Sequence, residues 1–210
     1  MTMAETGYQT EQEQFWAGEF GDAYIGRNPA NFEFGGRAAL FTKILARTVK
    51  VGSLIELGAN IGNNLKVLQR ILPQAELAAV EINAKAVAAL REWGGAEVHH
   101  CSILDFIPAR QWDLSFVSGV LIHINPESLP LVYQRLHASS RRYVCLAEYY
   151  NPTPVEIPYR GHSGRLFKRD FAGEMLTRFP DLHLLDYGFV YHRDPNFPLD
   201  DITWFLMEKR

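Results

Sequence analysis

The chain is short of the features that mark a specialised compartment or partner. Only two of its 210 residues are cysteines, Cys101 and Cys145. Neither stands at metal-ligand spacing or beside a Cys/His cluster, so no disulfide framework or metal site is expected, only two reduced, buried thiols. Charge of one sign is missing too. The 24 acidic and 21 basic residues leave a formal net charge of −3, and no bulk attraction draws such a chain to nucleic acid or to an anionic membrane. No apolar run approaches the roughly 18–20 residues that span a bilayer. The polar, acidic opening MTMAETGYQTEQEQFW has no signal-peptide core. A cytoplasmic protein is expected, without membrane or nucleic-acid partners. Repeats, low-complexity tracts and linkers are also absent, and the length suits one domain.

What is present is a regular alternation of element signals. Apolar spacing predicts a helix over 38–47, then a strand over 53–57 ending in a glycine turn, and a helix over 64–72 stopped by Pro73. A strand over 76–81, a helix over 84–93 closed by Gly94-Gly95 and a strand over 96–100 follow. Next come a strand over 113–118, a helix over 127–138 and a strand over 142–148. After an irregular stretch the pattern closes with a helix near 171–179 and two strands, 182–191 and 202–208. Strand–helix alternation from 53 to 148 is the mark of a parallel sheet covered on both faces. Two final strands joined only by a loop imply one antiparallel strand in a C-terminal hairpin. The expected fold is α/β and Rossmann-like: a seven-stranded, mostly parallel sheet of the shape found in class I methyltransferases. The segment 11–36, with Trp16, Phe20, Tyr24 and Phe34 among polar residues, is too apolar for a tail and is expected to pack on the rest.

The turn after the first strand reads Glu56-Leu57-Gly58-Ala59-Asn60-Ile61-Gly62-Asn63-Asn64. Gly58 and Gly62 allow sharp bending and close approach of a ligand. A nicotinamide-dinucleotide turn needs glycines at relative positions one, three and six. Positions three and six are here Asn60 and Asn63, so a diphosphate fits poorly and a dehydrogenase is disfavoured. The spacing instead resembles the acid-x-Gly-x-Gly-x-Gly motif of methyltransferases, with Asn60, a residue tolerant of a left-handed backbone, in place of the middle glycine. Glu81 closes the second strand where an acid can accept hydrogen bonds from ribose hydroxyls, and Ile82 follows it to lie against adenine. Ser102 and Ile103 occupy the adenine position after the third strand, with Asp105 read as structural. Gly119 and Val120 follow the fourth strand, where a small residue leaves room for a methionine moiety. These segments converge on the carboxyl edge of the sheet, and S-adenosyl-L-methionine is the expected cofactor.

Two loops reach the same edge. One runs through Tyr149, Tyr150, Asn151, Tyr159, Arg160, His162, Lys168 and Arg169, with four bases and no acid between Ile157 and Arg169. The other carries His192, Arg193 and Asp194 between the last two strands. Such a basic cluster suits an anionic acceptor, a carboxylated sugar or sugar nucleotide. Solvated Arg–Asp pairing is the alternative reading. His192, His123, Glu148 and Asp194 are the candidate bases for an acceptor that must lose a proton, with His192 preferred. Trp16, Tyr24, Tyr149 and Tyr150 could face the sulfonium.

The stretches 13–28, 56–64, 119–127, 148–171 and 186–209, with the Phe-Trp opening and the Tyr-Tyr-Asn-Pro-Thr-Pro loop as the most specific motifs, resemble a methyltransferase family associated with pseudaminic acid biosynthesis. The resemblance implies methylation of a nonulosonic acid or its nucleotide-sugar precursor, at nitrogen or oxygen; a monomer or homodimer is expected. It also implies that residues 1–36 cap a domain of residues 37–210, with Trp16, Tyr24, Arg27 and Asn28 in a lid and Arg37 on the methionine carboxylate. Two other classes stay open: a lyase that releases methylthioadenosine from the same cofactor, and a non-catalytic binding module.

Overall fold

A computed structural model describes residues 7–26 and 34–210. Its frame consists of β1 (Ser53–Leu57), β2 (Glu76–Glu81), β3 (Glu97–His100), β4 (Trp112–Ser118), β5 (Ser140–Glu148), β8 (Leu182–Val190) and β9 (Ile202–Lys209). They form one sheet in the order β3-β2-β1-β4-β5-β9-β8. The first five are parallel, and β9 enters antiparallel between β5 and β8. The reversed strand of the expected hairpin therefore sits inside the sheet, and β8 forms its edge.

Every residue of β1, and all of β2 but its first, is buried, as parallel strands covered on both faces must be. Helices α3 (Phe34–Leu45), α4 (Asn63–Ile71) and α5 (Ala84–Trp93) pack one face through Leu40, Phe41, Ile44, Leu65, Leu68 and Leu90. On the other face α6 (Leu129–Ser139) and α7 (Phe171–Arg178) contribute Val132, Leu136, Phe171 and Met175. Local chemistry sets the limits of these helices. The Asn83 side chain accepts from the Lys85 and Ala86 amides at the start of α5, and Gly94 in a left-handed conformation ends it. Because α3 begins at Phe34, a domain boundary at 36/37 would cut through that helix. Burial pushes the Cys145 thiol up to about 12, so it stays an inert core group.

Two regions depart from the sequence reading. Before the sheet, α1 (Glu11–Ala17) and α2 (Glu19–Ile25) form where no element was expected. Thr10 and Glu13 make a capping box: the Thr10 hydroxyl accepts from the Glu13 amide at 3.2 Å, and Glu13 accepts from the Thr10 amide at 2.8 Å. The pair folds tightly at Gly18, and a Cβ on Gly21 would lie 1.8 Å from the Trp16 carbonyl oxygen. Arg27 and Asn28, the other expected lid residues, lie outside the described residues. The stretch after β5 is a second small sheet of β6 (Val155–Glu156) and β7 (Phe167–Lys168). At its tip Tyr159 and His162 exchange backbone hydrogen bonds of 2.8 and 2.9 Å across Arg160 and Gly161, both at positive φ. That is the geometry of a two-residue hairpin turn matched to strand twist, and Arg160 holds it at φ 49° without being glycine. Among the described residues, no helix is long and apolar enough to cross a membrane.

Candidate active site

The chain steps from β1 outward to β2 and β3, then returns to β4 on the other side of β1, leaving a crevice at the carboxyl ends of β1 and β4. Ligands of open α/β sheets bind at such a reversal. A cavity occupies it. Of the thirteen residues expected to contact the cofactor, twelve line this cavity: Tyr24, Arg37, Glu56, Gly58, Ala59, Asn60, Glu81, Ile82, Ser102, Ile103, Gly119 and Val120. Gly62 does not. Its φ is 79°, and a Cβ there would meet Leu90 at 2.6 Å and Trp93 at 3.7 Å, so its missing side chain serves the packing of α4 on α5. Gly58 also has a packing role, because a Cβ on it would press into Val120 at 2.7 Å. Gly119 is the glycine that opens space: at φ 68° its absent Cβ would meet nothing within 4 Å.

The turn is pinned by side chains. Asn60 adopts φ 49°, the left-handed conformation that asparagine tolerates, and its amide donates to Glu81 Oε2 at 2.7 Å. Glu81 Oε1 accepts from the Asn83 amide at 2.8 Å. With the Ile82 amide as a third donor, the carboxylate still has capacity for a ligand hydroxyl. Burial raises the Glu81 carboxyl, with those backbone donors working against it. Ser102 lies on the wall, but its Oγ already accepts from the Leu104 amide at 3.1 Å, leaving its hydroxyl hydrogen to donate. Asp105 is tied to Gln9 outside the cavity, the structural role expected of it.

At the other end of the crevice Arg37 Nη1 donates to Asn64 Oδ1 at 2.6 Å, and Asn64 Nδ2 donates to Glu56 Oε1 at 2.6 Å. Arg37 Nε and Glu56 Oε2 are buried without partners. Burial pushes the Glu56 carboxyl up to about 8, against the lowering effects of Asn64 and Arg37. An amide thus separates a guanidinium from a carboxyl, and each keeps unmet hydrogen-bonding capacity. The chemistry of such an arrangement matches that of a zwitterion.

The candidate bases fall in different places. His123 lines the cavity in a 3₁₀ turn, Leu121–His123, its ring 4.7 Å from Trp16 and 4.8 Å from Tyr159. Glu148 lies beneath that turn, with Oε1 accepting from the Val120 and Leu121 amides at 2.9 and 3.0 Å. It supports the wall instead of facing the cavity, and burial pushes its carboxyl up to about 7. His192 is exposed on the β8–β9 loop, Nδ1 held 2.9 Å from both oxygens of Asp201, away from the cavity. Asp194 closes a turn in the same loop by accepting from the Asn196 and Phe197 amides, and those donors hold its carboxyl below the usual range. The preferred base, His192, and its neighbour Asp194 are therefore loop-shaping residues here.

The expected acceptor residues stand outside the cavity wall, in a ring of unequal distance. Tyr159 touches His123 and Phe20, and Arg160 stacks on the Tyr159 ring at 5.6 Å with its guanidinium exposed. Tyr149 hydrogen-bonds to Asp200 and lies under Lys168 Nζ at 5.1 Å; burial raises its hydroxyl well above the usual tyrosine value. His162 is exposed beside Phe15 and Phe20. Tyr150 and Asn151 turn outward, Tyr150 beside Phe205 and Asn151 onto Thr153. Arg169 pairs with Glu174 at 3.3 Å, Arg165 with Glu11 at 3.2 Å, and Arg193 is exposed on the β8–β9 loop. Two of the bases between 157 and 169 are thus paired with acids that the local sequence window does not contain.

Sequence reasoning missed Gln12, Glu13, Asn64 and Asn83 on the cavity wall. The Thr10-x-x-Glu13 spacing is a helix-start signature that would have located α1. Asn83, besides capping α5, donates through Nδ2 to the Trp16 carbonyl at 3.2 Å and to Asp22 at 2.9 Å, and nothing local announces that long-range tie.

No family model matches the chain, and no curated protein matches it significantly. Solved structures do. The plantazolicin methyltransferase BpumL, in complex with SAH, superposes with a TM-score of 0.67 at 14% identity over 95% of this chain and 94% of that one. The Burkholderia thailandensis 1,6-didemethyltoxoflavin-N1-methyltransferase gives 0.68 at 14% identity, covering 94% and 86%. The glycopeptide N-methyltransferase MtfA with S-adenosyl-L-methionine gives 0.63 at 12%, covering 82% and 87%. The chain has the Rossmann-like methyltransferase fold.

Proposed function

We propose that this chain, built on the fold of those enzymes, is an S-adenosyl-L-methionine-dependent methyltransferase acting on an anionic small molecule, with a nonulosonic acid or its nucleotide-sugar precursor as acceptor. The observation that carries the cofactor assignment is the Arg37–Asn64–Glu56 chain. Its unmet guanidinium and carboxyl atoms suit the carboxylate and ammonium of a methionine end, while Glu81 stands at the same wall for a ribose. The cofactor, when bound, supplies an activated methyl group on a sulfonium. The residues supply position: Gly119 leaves room, and Trp16 and Tyr24 place aromatic rings at the cavity wall, suited to a cation. A diphosphate has no glycine-lined approach at Asn60 and Asn63.

The anionic acceptor is supported by Arg160. Its guanidinium sits at the tip of a hairpin stacked on Tyr159, which itself touches the cavity-lining His123. A non-glycine residue kept at φ 49° is a strained feature of the kind that gathers at functional sites. The sugar class rests on the resemblance of the Phe-Trp and Tyr-Tyr-Asn-Pro-Thr-Pro motifs. The test is a calorimetric titration with S-adenosylhomocysteine, followed by mass spectrometry of pseudaminic acid and its nucleotide derivative after incubation with S-adenosylmethionine. One molecule bound per chain and a methylated sugar are expected. No binding would overturn the cofactor assignment. Binding with methyl transfer only to an unrelated acceptor would overturn the sugar class, and methylthioadenosine formed from cofactor alone would replace transfer by lyase chemistry.

A further inference from the structure

We infer that His123 Nε2 is the catalytic acceptor of the hydrogen carried by the methylated atom, so that the acceptor group is a neutral hydroxyl or amine rather than a carboxylate or a thiolate. The inference rests on the methyl-transfer reading above and deepens it.

The tautomer follows from one contact. His123 Nδ1 lies 2.6 Å from the Arg165 backbone carbonyl oxygen. A carbonyl oxygen can only accept, so Nδ1 carries the hydrogen and Nε2 keeps the lone pair. No partner for Nε2 exists among the described residues, and the residue is 8% exposed on the cavity wall. The ring cannot turn away freely, because Trp16 and Tyr159 hold it on two sides and the Arg165 carbonyl fixes its edge. An oriented lone pair without a partner, on a residue that lines the cavity, calls for a donor. Burial also pushes the His123 imidazole down to about 4, so it stays neutral around pH 7 and cannot serve as a cationic anchor for an anion.

The chemistry balances with that tautomer. The acceptor oxygen or nitrogen forms a bond to the methyl carbon, and the carbon–sulfur bond breaks with its electron pair left on sulfur. The acceptor's hydrogen passes as a proton to Nε2. A weakly basic imidazole is sufficient, because a hydroxyl or amine becomes strongly acidic as its new bond to carbon forms, and the resulting imidazolium readily returns the proton to water. A carboxylate or thiolate acceptor brings no hydrogen and would set a negative atom against the Nε2 lone pair.

The test needs no acceptor. Sinefungin carries a primary amine where the sulfonium methyl stands, so it places an N–H donor at the point of transfer. Calorimetric titrations with S-adenosylhomocysteine and with sinefungin would be compared in the unmodified protein, His123→Asn and His123→Gln. Asn keeps an amide N–H for the Arg165 carbonyl but leaves nothing at the place of Nε2, whereas Gln can bring its amide oxygen there. The preference for sinefungin should fall about tenfold in the Asn variant, the order of one hydrogen bond to a charged donor. It should recover in part in the Gln variant, the preference being read as the ratio of the two affinities in each protein so that a loss common to both ligands cancels. An unchanged preference in both variants would overturn the role of Nε2, and so would equal losses for the two ligands. Failure of S-adenosylhomocysteine to bind the unmodified protein would instead overturn the underlying cofactor reading, and this inference with it.

Discussion

The two ends of the crevice are built on different principles. The cofactor side is a set of short turns at strand ends, where backbone amides and side chains from neighbouring positions fix one another: Asn60 on Glu81, Asn83 on Glu81, Val120 and Leu121 on Glu148. The side proposed for the acceptor is assembled from three distant segments, α1–α2, the β6–β7 hairpin and the β8–β9 loop, with contacts such as Gln12 to the Gly164 carbonyl and Arg165 to Glu11. One side is preformed by the sheet, while the other depends on elements that bury little of their own. A scaffold can thus keep its cofactor site while its acceptor site varies with the loops.

The sharpest way to break this contrast uses two glycines in like conformations. Gly119 and Gly161 both have positive φ, 68° and 84°, and a Cβ on either meets nothing within 4 Å. Valine at 119 projects into the cavity and should weaken S-adenosylhomocysteine binding on the order of a hundredfold. Valine at 161 pays the same left-handed backbone strain, about 1–2 kcal/mol, at the hairpin tip. It should leave that affinity within about twofold, because no part of the cavity is built from the tip. Calorimetry on both variants, with a melting curve to match their stabilities, checks the pair. Equal losses would erase the distinction between the two sides.

Glu56 gives the next largest effect and sharpens the contrast through pH. Burial pushes its carboxyl up to about 8 from an ordinary value of 4.5, so between those values the folded chain holds a proton that the unfolded chain has lost. Stability should therefore fall as pH rises from about 4.5 toward 8, and Glu56→Gln should flatten part of that fall. Glu148, pushed up to about 7, contributes in the same direction and persists in the variant. An ammonium arriving beside Glu56 favours the carboxylate, so S-adenosylhomocysteine binding at pH 7 should release protons. Titrations in buffers of different ionisation enthalpy would show this, and the Gln variant should lose the release together with roughly tenfold in affinity. A proton count that Glu56→Gln leaves unchanged would separate Glu56 from the ligand ammonium.

The same contrast explains what the sequence disclosed. The limits of β1, β2 and α5 were legible to the residue, because each is bounded by its own chemistry: a glycine turn, an acid at a strand end, an asparagine cap and a Gly-Gly stop. Most of the residues expected at the cofactor could be placed on one cavity from the sequence because strand ends are close in sequence to the turns they position. His192 misled because its place in a long loop says nothing about direction, and its partner Asp201 lies across the hairpin. The basic run at 157–169 was legible only in part, for a related reason. Arg165 and Arg169 are paired with Glu11 and Glu174, which only the folded chain brings near, while Arg160 is exposed. The helices α1 and α2 are short and mix polar with aromatic residues, so periodicity gave them no signal, although the capping box at Thr10 did.

That capping box offers the gentlest separation of the two sides. A seven-residue helix such as α1 is not stable alone in water, so its order must come from its cap and from what it rests on. Thr10→Ala removes the hydroxyl that accepts from the Glu13 amide, at a cost of about 1 kcal/mol. The sheet carries the cooperative unfolding transition, so the melting temperature should shift by only a few degrees. Amide exchange across residues 11–17 should quicken roughly fivefold, the factor that corresponds to about 1 kcal/mol of local opening. Affinity for S-adenosylhomocysteine should drop by a similar few-fold if α1 closes over the bound cofactor, because Gln12, Glu13 and Trp16 form part of the cavity wall. Faster exchange with unaltered affinity would make α1 a wall for the acceptor alone. Asn83, which holds both the Glu81 carboxylate and the Trp16 carbonyl, would then mark the seam between the two halves of the crevice.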